Sequence, residues 1–196
     1  MIQRIGIIYQ DVYSRGFLEG LKLRLTCKAA VVRAEGFFAR SKHMKPRDAR
    51  KACRFLLGKN VDMIVRFTDA DGADWQDVKR RELEAFPVSV RAILVIGVAV
   101  NNPEEWLARA PHYLARELGI EIQALASEPA KASLIKGAID RARRPLEKSS
   151  DVVARLVNGA PQDAFKQWLG EDSFREFYSE CRRIATYFEC ETTNEL

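Results

Sequence analysis

The chain has 196 residues, 47% of them hydrophobic and 30% charged, with a net charge of +5. That is globular composition with enough apolar material for one core, and no apolar run approaches the length of a membrane span. Four widely spaced cysteines (Cys27, Cys53, Cys181, Cys190) and only two histidines (His43, His112) disfavour a zinc site and a disulfide framework, so reduced thiols and a cytoplasmic location are expected.

Taken in chain order, IQRIGIIY (2–9) reads as an isoleucine-rich strand. A helix follows over about 14–26, with Phe17, Leu18, Leu21 and Leu25 at helical spacing and Ser14 as its N-cap. AAVVRAEGFF (29–38) reads as a second strand. A basic loop leads to Pro46, and a helix runs from there to about Leu57, with Gly58 and Asn60 as stop signals. VDMIVRFTD (61–69) is a third strand, apolar up to its acidic end, and a charged helix follows at about 76–86. RAILVIGVAV (91–100) is a fourth strand, with a helix starting at Pro103 that carries Trp106, Leu107 and Leu114. Segments 128–142, 151–157, 160–169 and 172–189 read as further helices. Strands of continuous apolar character alternating with helices imply an α/β fold with a mainly parallel four-stranded sheet covered on both faces. The sheet occupies about residues 1–100, and a helical portion follows over about 101–196 of a single domain. Ligands of such sheets bind beyond the carboxyl ends of the strands, which directs attention to residues 10–14, 68–75 and 100–105.

Asp69 and Asp71 stand out there. In an extended chain, side chains two residues apart point the same way. Two carboxylates about 5 Å apart repel by roughly 3 kcal/mol at an effective dielectric near 20. Such a pair, with Asp74 and Asp77 just beyond, suits Mg²⁺ or Mn²⁺; a cap followed by an Asp71-Gly72 turn is the structural alternative. Glu104 and Glu105 open the helix after the fourth strand, where helix electrostatics alone favour acids. Asp11 is either a ligand or a cap. Trp75 and Trp106 flank the region and either stack a base or pack in the core. Two basic stretches, 40–51 (Arg40, Lys42, His43, Lys45, Arg47, Arg50, Lys51) and 131–148 (Lys131, Lys136, Arg141, Arg143, Arg144, Lys148), can contact a phosphate backbone or form solvated helix faces. No G-x-S-x-G elbow or Walker lysine loop is present, which disfavours serine hydrolase and nucleotide kinase chemistry.

Together these residues resemble the TOPRIM fold, the Rossmann-like metal-binding domain of topoisomerases, primases and overcoming-lysogenization-defect nucleases. GIIYQDVYSRGFLEGL (6–21) has the rhythm of the family's first strand, Glu-Gly pair and helix, and Asp69-Ala70-Asp71 matches its Asp-x-Asp. The chain is also similar to a bacterial TOPRIM-like family associated with defence ATPases. Glu104, Trp106 and Leu107 match that family's Glu-x-Trp-Leu helix; Glu128, Pro129, Lys131 and Leu134 echo a later segment, and DSFREFY (172–178) a terminal one. The resemblance implies a Mg²⁺- or Mn²⁺-dependent nuclease or nuclease-like subunit with an ATPase partner. Asp69, Asp71 and Glu104 would hold metal, and Arg47, Arg50, Lys51, Lys131 and Arg141 would grip nucleic acid. The family's catalytic glutamate falls on Gln10 here and its glycine on Asp11. An amide cannot shuttle a proton. Either Asp11 or Glu104 replaces the glutamate, or the chain is an inactive adaptor that binds a partner protein.

Overall fold

The computed structural model describes residues 4–24, 30–34, 43–125 and 131–187. Four strands, β1 (Arg4–Ile8), β2 (Ala30–Arg33), β3 (Met63–Asp69) and β4 (Leu94–Ala99), form one sheet in the order β2-β1-β3-β4, and every pairing is parallel. The central strands β1 and β3 pair in the register Ile5 to Met63 through Ile8 to Arg66. Their side chains alternate between two apolar layers, which is why the strand sequences read as unbroken apolar runs.

On one face, Ile8, Ile64, Ile96 and Val98 pack against α2 (Pro46–Leu57) and α3 (Trp75–Ala85) through Ala49, Ala52, Leu56 and Val78. On the other, Ile5, Ile7, Val65 and Phe67 meet α1 (Val12–Arg24) and the helices that follow the sheet. These are α4 (Pro103–Ala108), α5 (Pro111–Leu118), α6 (Ile122–Leu125), α7 (Lys131–Arg141), α8 (Ser149–Gly159), α9 (Gln162–Leu169) and α10 (Asp172–Tyr187). Trp106 is the hub of this layer: its ring centroid lies 5.2 Å from Phe67, 5.3 Å from Phe17 and 5.1 Å from Phe174, and its indole N–H donates to Ser173 Oγ at 3.0 Å. Trp106 is therefore a core residue, and no face of it is open for base stacking.

Helices α1 and α8 approach closely because Gly16 and Gly20 face α8. A Cβ at Gly16 would lie 2.3 Å from the Ser150 carbonyl oxygen, and one at Gly20 would lie 2.6 Å from that of Ala154. This contact fixes the first turns of α1, which follow the end of β1, directly against α8.

Several sequence expectations need correcting. Helix α1 begins before Ser14, whose backbone N–H is capped by Asp11 Oδ1 at 2.7 Å, so Asp11 rather than Ser14 does the capping. Residues 88–93 form a 3₁₀ turn, which delays β4 to Leu94. The single helix expected after Pro103 is two, because Pro111 lacks the N–H that continuation would require and instead opens α5. The strand expected over 29–38 is described at Ala30–Arg33, and the positions Leu25, Cys27, Arg40, Lys42, Glu128, Pro129 and Cys190 lie outside the described residues.

Candidate functional site

The strand order reverses between β1 and β3: the chain leaves β1 for β2 on one side and returns to β3 on the other. The connections after β1 and β3 then diverge, α1 to one face and α3 to the other. Such a switch point opens a crevice at the carboxyl ends of the two strands. Gln10 bridges it. Its amide Nε2 donates to Thr68 Oγ1 at 2.9 Å, and its Oε1 accepts the Asp69 N–H at 3.3 Å. Gln10 thus ties the end of β1 to the end of β3.

Four acids bear on this crevice. Asp69 ends β3 with its Oδ1 buried and without a hydrogen bond. Burial, followed by the negative charges of Asp11, Glu104 and Asp71, pushes its carboxyl up to about 7, against a small opposing pull from Lys136. Glu104, in the first turn of α4, is 1% exposed, and neither carboxylate oxygen has a hydrogen bond. Burial pushes it up to about 7 as well, with the Lys136 charge and then the polarity of Glu104's own backbone N–H opposing and Asp11 adding to the rise; no donor completes a hydrogen bond to either oxygen. The Lys136 ammonium stands 3.7 Å from Glu104 Oε1, an ion pair too long for a hydrogen bond, and 5.1 Å from the centre of the Tyr13 ring. Tyr13 in turn donates its hydroxyl to Asp140 Oδ2 at 3.2 Å. Asp140 and the neighbouring acids also raise the Tyr13 phenol, behind the larger effect of burial.

The expected pairing of Asp69 with Asp71 does not hold in the form the sequence suggested. The strand ends at Asp69, and Asp71 turns into the left-handed region at φ 50°, followed by Gly72 at φ 82°. The i, i+2 rule therefore stops applying between them. Asp71 is exposed and acts on Asp69 through its charge, while the residues that crowd Asp69 most are Asp11 and Glu104, from other elements. Asp74 caps α3 by accepting from the N–H groups of Gln76 and Asp77, and Asp77 pairs with Arg80 at 2.8 Å; neither joins the cluster. Glu105 accepts from Asn101 Nδ2 at 2.7 Å on the wall of a polar cleft of about 320 Å³ that Arg109, Lys131 and Glu171 also line. Among the described residues, no three of His, Cys, Asp and Glu are grouped so that they could hold a metal ion by themselves.

The basic candidates separate. Arg47, Arg50, Lys51 and Arg141 are exposed, with Arg47 against Asp48, while Lys131 is partly buried at the polar cleft. Lys136 is the functional-looking residue whose position the sequence concealed: it belonged to a basic run, and only the packing of α7 on α4 carries it to Glu104. The chain matches no protein-family model, no curated protein and no solved structure. No helix among the described residues is long and apolar enough to cross a membrane.

Proposed function

We propose that the chain is a TOPRIM-like, divalent-metal-dependent nuclease or nuclease-like subunit, acting on nucleic acid in a bacterial defence system with an ATPase partner. The observation that carries this reading is the pair Asp69 and Glu104. Both bear on the switch point; Glu104 is buried with neither oxygen hydrogen-bonded, and half-buried Asp69 has one buried oxygen, Oδ1, without the hydrogen bond a purely structural acid would make. Mg²⁺ or Mn²⁺ would be held by Asp69 and Glu104, with the field of Asp11 and Asp71 in support. A hard cation of this kind needs only one or two carboxylates when water and substrate phosphate oxygens complete its shell. That accommodates a site in which no three acids form a cage. When bound, the ion would polarise a phosphodiester and lower the pKa of a bound water.

The chain's own residues supply the rest. Gln10 holds the ends of β1 and β3 at fixed separation. Lys136 offers a positive charge next to Glu104, where an incoming phosphate would also sit. Exposed Arg47, Arg50, Lys51 and Arg141, with Lys131, would contact the phosphate backbone. Gln10 cannot accept a proton, so that position supplies no general base and slow turnover of the isolated chain is expected.

That same observation favours a second reading, a non-catalytic TOPRIM-like adaptor, because both amide atoms of Gln10 are engaged in holding the strands. A cleavage assay on plasmid DNA, linear DNA and RNA with Mg²⁺ and with Mn²⁺ separates the two. The nuclease reading expects cleavage that is lost in Asp69→Asn and Glu104→Gln. Absence of cleavage by the wild type and by Gln10→Glu, alone and with the partner, favours the adaptor.

A further inference from the structure

The loop between α7 and α8 exposes a leucine in a conformation that leucine disfavours. Leu146 is fully exposed (102%) and holds φ at 70°. In that region a bulky side chain clashes with its own backbone. The turn is braced on both sides of it. Glu147 Oε2 accepts the Arg144 N–H at 2.8 Å, the Glu147 N–H donates to the Arg144 carbonyl at 3.0 Å, and Arg155 grips the Glu147 carboxylate at 3.4 Å. Strain maintained by its surroundings is a reason to ask what the side chain does.

The surroundings are cationic. Arg141, Arg143, Arg144 and Lys148 are all exposed. The acids of the same stretch are engaged locally: exposed Asp140 accepts from Tyr13 and from Ser149 Oγ at 2.6 Å, half-buried Glu147 braces the turn, and exposed Asp151 accepts the Lys148 N–H at 2.8 Å. Among the described residues, Arg141, Arg144 and Lys148 form no ion pair. The loop is also anchored beside the acid crevice. Tyr13 and Arg15, just after Asp11, bond Asp140 and Ser150, the latter at 2.8 Å.

We infer that Leu146 is a wedge that inserts between nucleic-acid bases while Arg143, Arg144 and Lys148 contact the flanking phosphates. The inference rests on the nucleic-acid reading above and deepens it. The substrate becomes a strand whose bases can be unstacked next to the acids, either a single strand or a duplex opened locally. Apolar wedges of this kind unstack a base step and bend the duplex. A protein partner is matched less well, because its interface needs a contiguous apolar centre depleted of charge, whereas this loop offers one aliphatic side chain inside a positive rim.

The test uses the full chain in EDTA, which prevents metal-dependent cleavage, with fluorescein-labelled oligonucleotides and duplexes carrying 2-aminopurine at successive positions. Binding by wild type raises 2-aminopurine fluorescence at one register. Leu146→Ala abolishes that rise and weakens binding at least roughly fivefold with an unchanged salt slope. Arg143→Gln with Arg144→Gln retains the rise and lowers the salt slope by about one to two. Leu146→Asn, a residue that tolerates positive φ, melts no lower than wild type and shows that the loop remains folded. If wild type binds and Leu146→Ala still unstacks the reporter, the wedge is wrong and the nucleic-acid reading stands. If wild type binds no oligonucleotide, both fall. Loss of binding to the ATPase partner alone in Leu146→Ala makes the loop a protein dock and overturns the wedge.

Discussion

Glu82 on α3 and Glu104 on α4 are each 1% exposed, on opposite faces of the same sheet, yet they are treated differently. Glu82 Oε2 accepts from Arg66 Nε at 2.9 Å and Oε1 from the Met44 N–H at 2.9 Å, with His43 Nδ1 a further 3.7 Å away. Glu104 has no hydrogen bond to either oxygen and a lysine at 3.7 Å. A buried carboxylate with a counter-ion and its hydrogen bonds is a structural tie, here between β3, α3 and the segment entering α2. A buried carboxylate without them, near a second, half-buried one with an unbonded oxygen, disfavours the fold and suits a site that receives something positive. Burial alone does not separate structure from function; unmet hydrogen bonding does.

The contrast is broken most directly by removing one partner from each. Arg66→Met should cost about 3–5 kcal/mol, because Glu82 is left buried and uncompensated. Glu104→Gln should leave the chain as stable as wild type or up to about 1 kcal/mol more stable at pH 8. Urea unfolding measures both, and equal losses would erase the distinction.

A smaller effect follows from pH. The carboxyls of Asp69 and Glu104 are raised from 3.8 and 4.5 to about 7. A carboxyl whose folded value lies above its unfolded value stabilises the fold while protonated. Its contribution is complete below the unfolded value and is lost as pH rises through the folded one. The stability of wild type, measured relative to the Asp69→Asn/Glu104→Gln variant, should therefore fall progressively between about pH 5 and pH 8, by on the order of a few kcal/mol. A flat difference profile would mean that the two acids are not crowded.

Gln10→Glu sharpens the same comparison by adding a charge to the unsatisfied side. The new carboxylate keeps an acceptor for the Asp69 N–H, cannot donate to Thr68, and brings a further negative charge toward Asp69. Without metal it should be about 1–2 kcal/mol less stable than wild type. With Mn²⁺ the deficit should shrink and metal affinity should rise; an unchanged deficit would separate Gln10 from any cation site. The smallest stability effect belongs to the exposed cations. Replacing Arg47, Arg50 and Lys51 by Gln should move stability by no more than about 0.5 kcal/mol per residue while flattening the salt dependence of oligonucleotide binding. An unchanged slope would make that helix face a solvated one.

Much of the fold was legible in the sequence, because continuous apolar runs such as VDMIVRFTD and LVIGVA can be buried on both faces only in a covered parallel sheet. Pro46 and Leu57 bounded α2 as expected, since proline and glycine chemistry acts locally. The site was only half legible. The end of β3 marked Asp69, but its pairing with Asp71 extended strand geometry one residue past the point where the backbone turns. The partners that matter for Asp69, namely Asp11 and Glu104, arrive from the residue that caps α1 and from α4 through tertiary packing. Lys136 was one cation in a basic run, and Arg66 and Glu82 lay in segments that read as a strand and a charged helix. Neither pairing has a local signature, because each depends on how a helix docks on the sheet.

The most direct test of the central claim is a Mn²⁺ titration of wild type and of the Asp69→Asn/Glu104→Gln variant, followed by calorimetry and by melting temperature. If Asp69 and Glu104 are the cation site, wild type binds Mn²⁺ and melts higher as the metal is added. The variant should melt at or above wild type in EDTA and not respond to metal. Equal Mn²⁺ binding and equal shifts in the two proteins would contradict the claim that Asp69 and Glu104 are left unsatisfied in order to hold a metal.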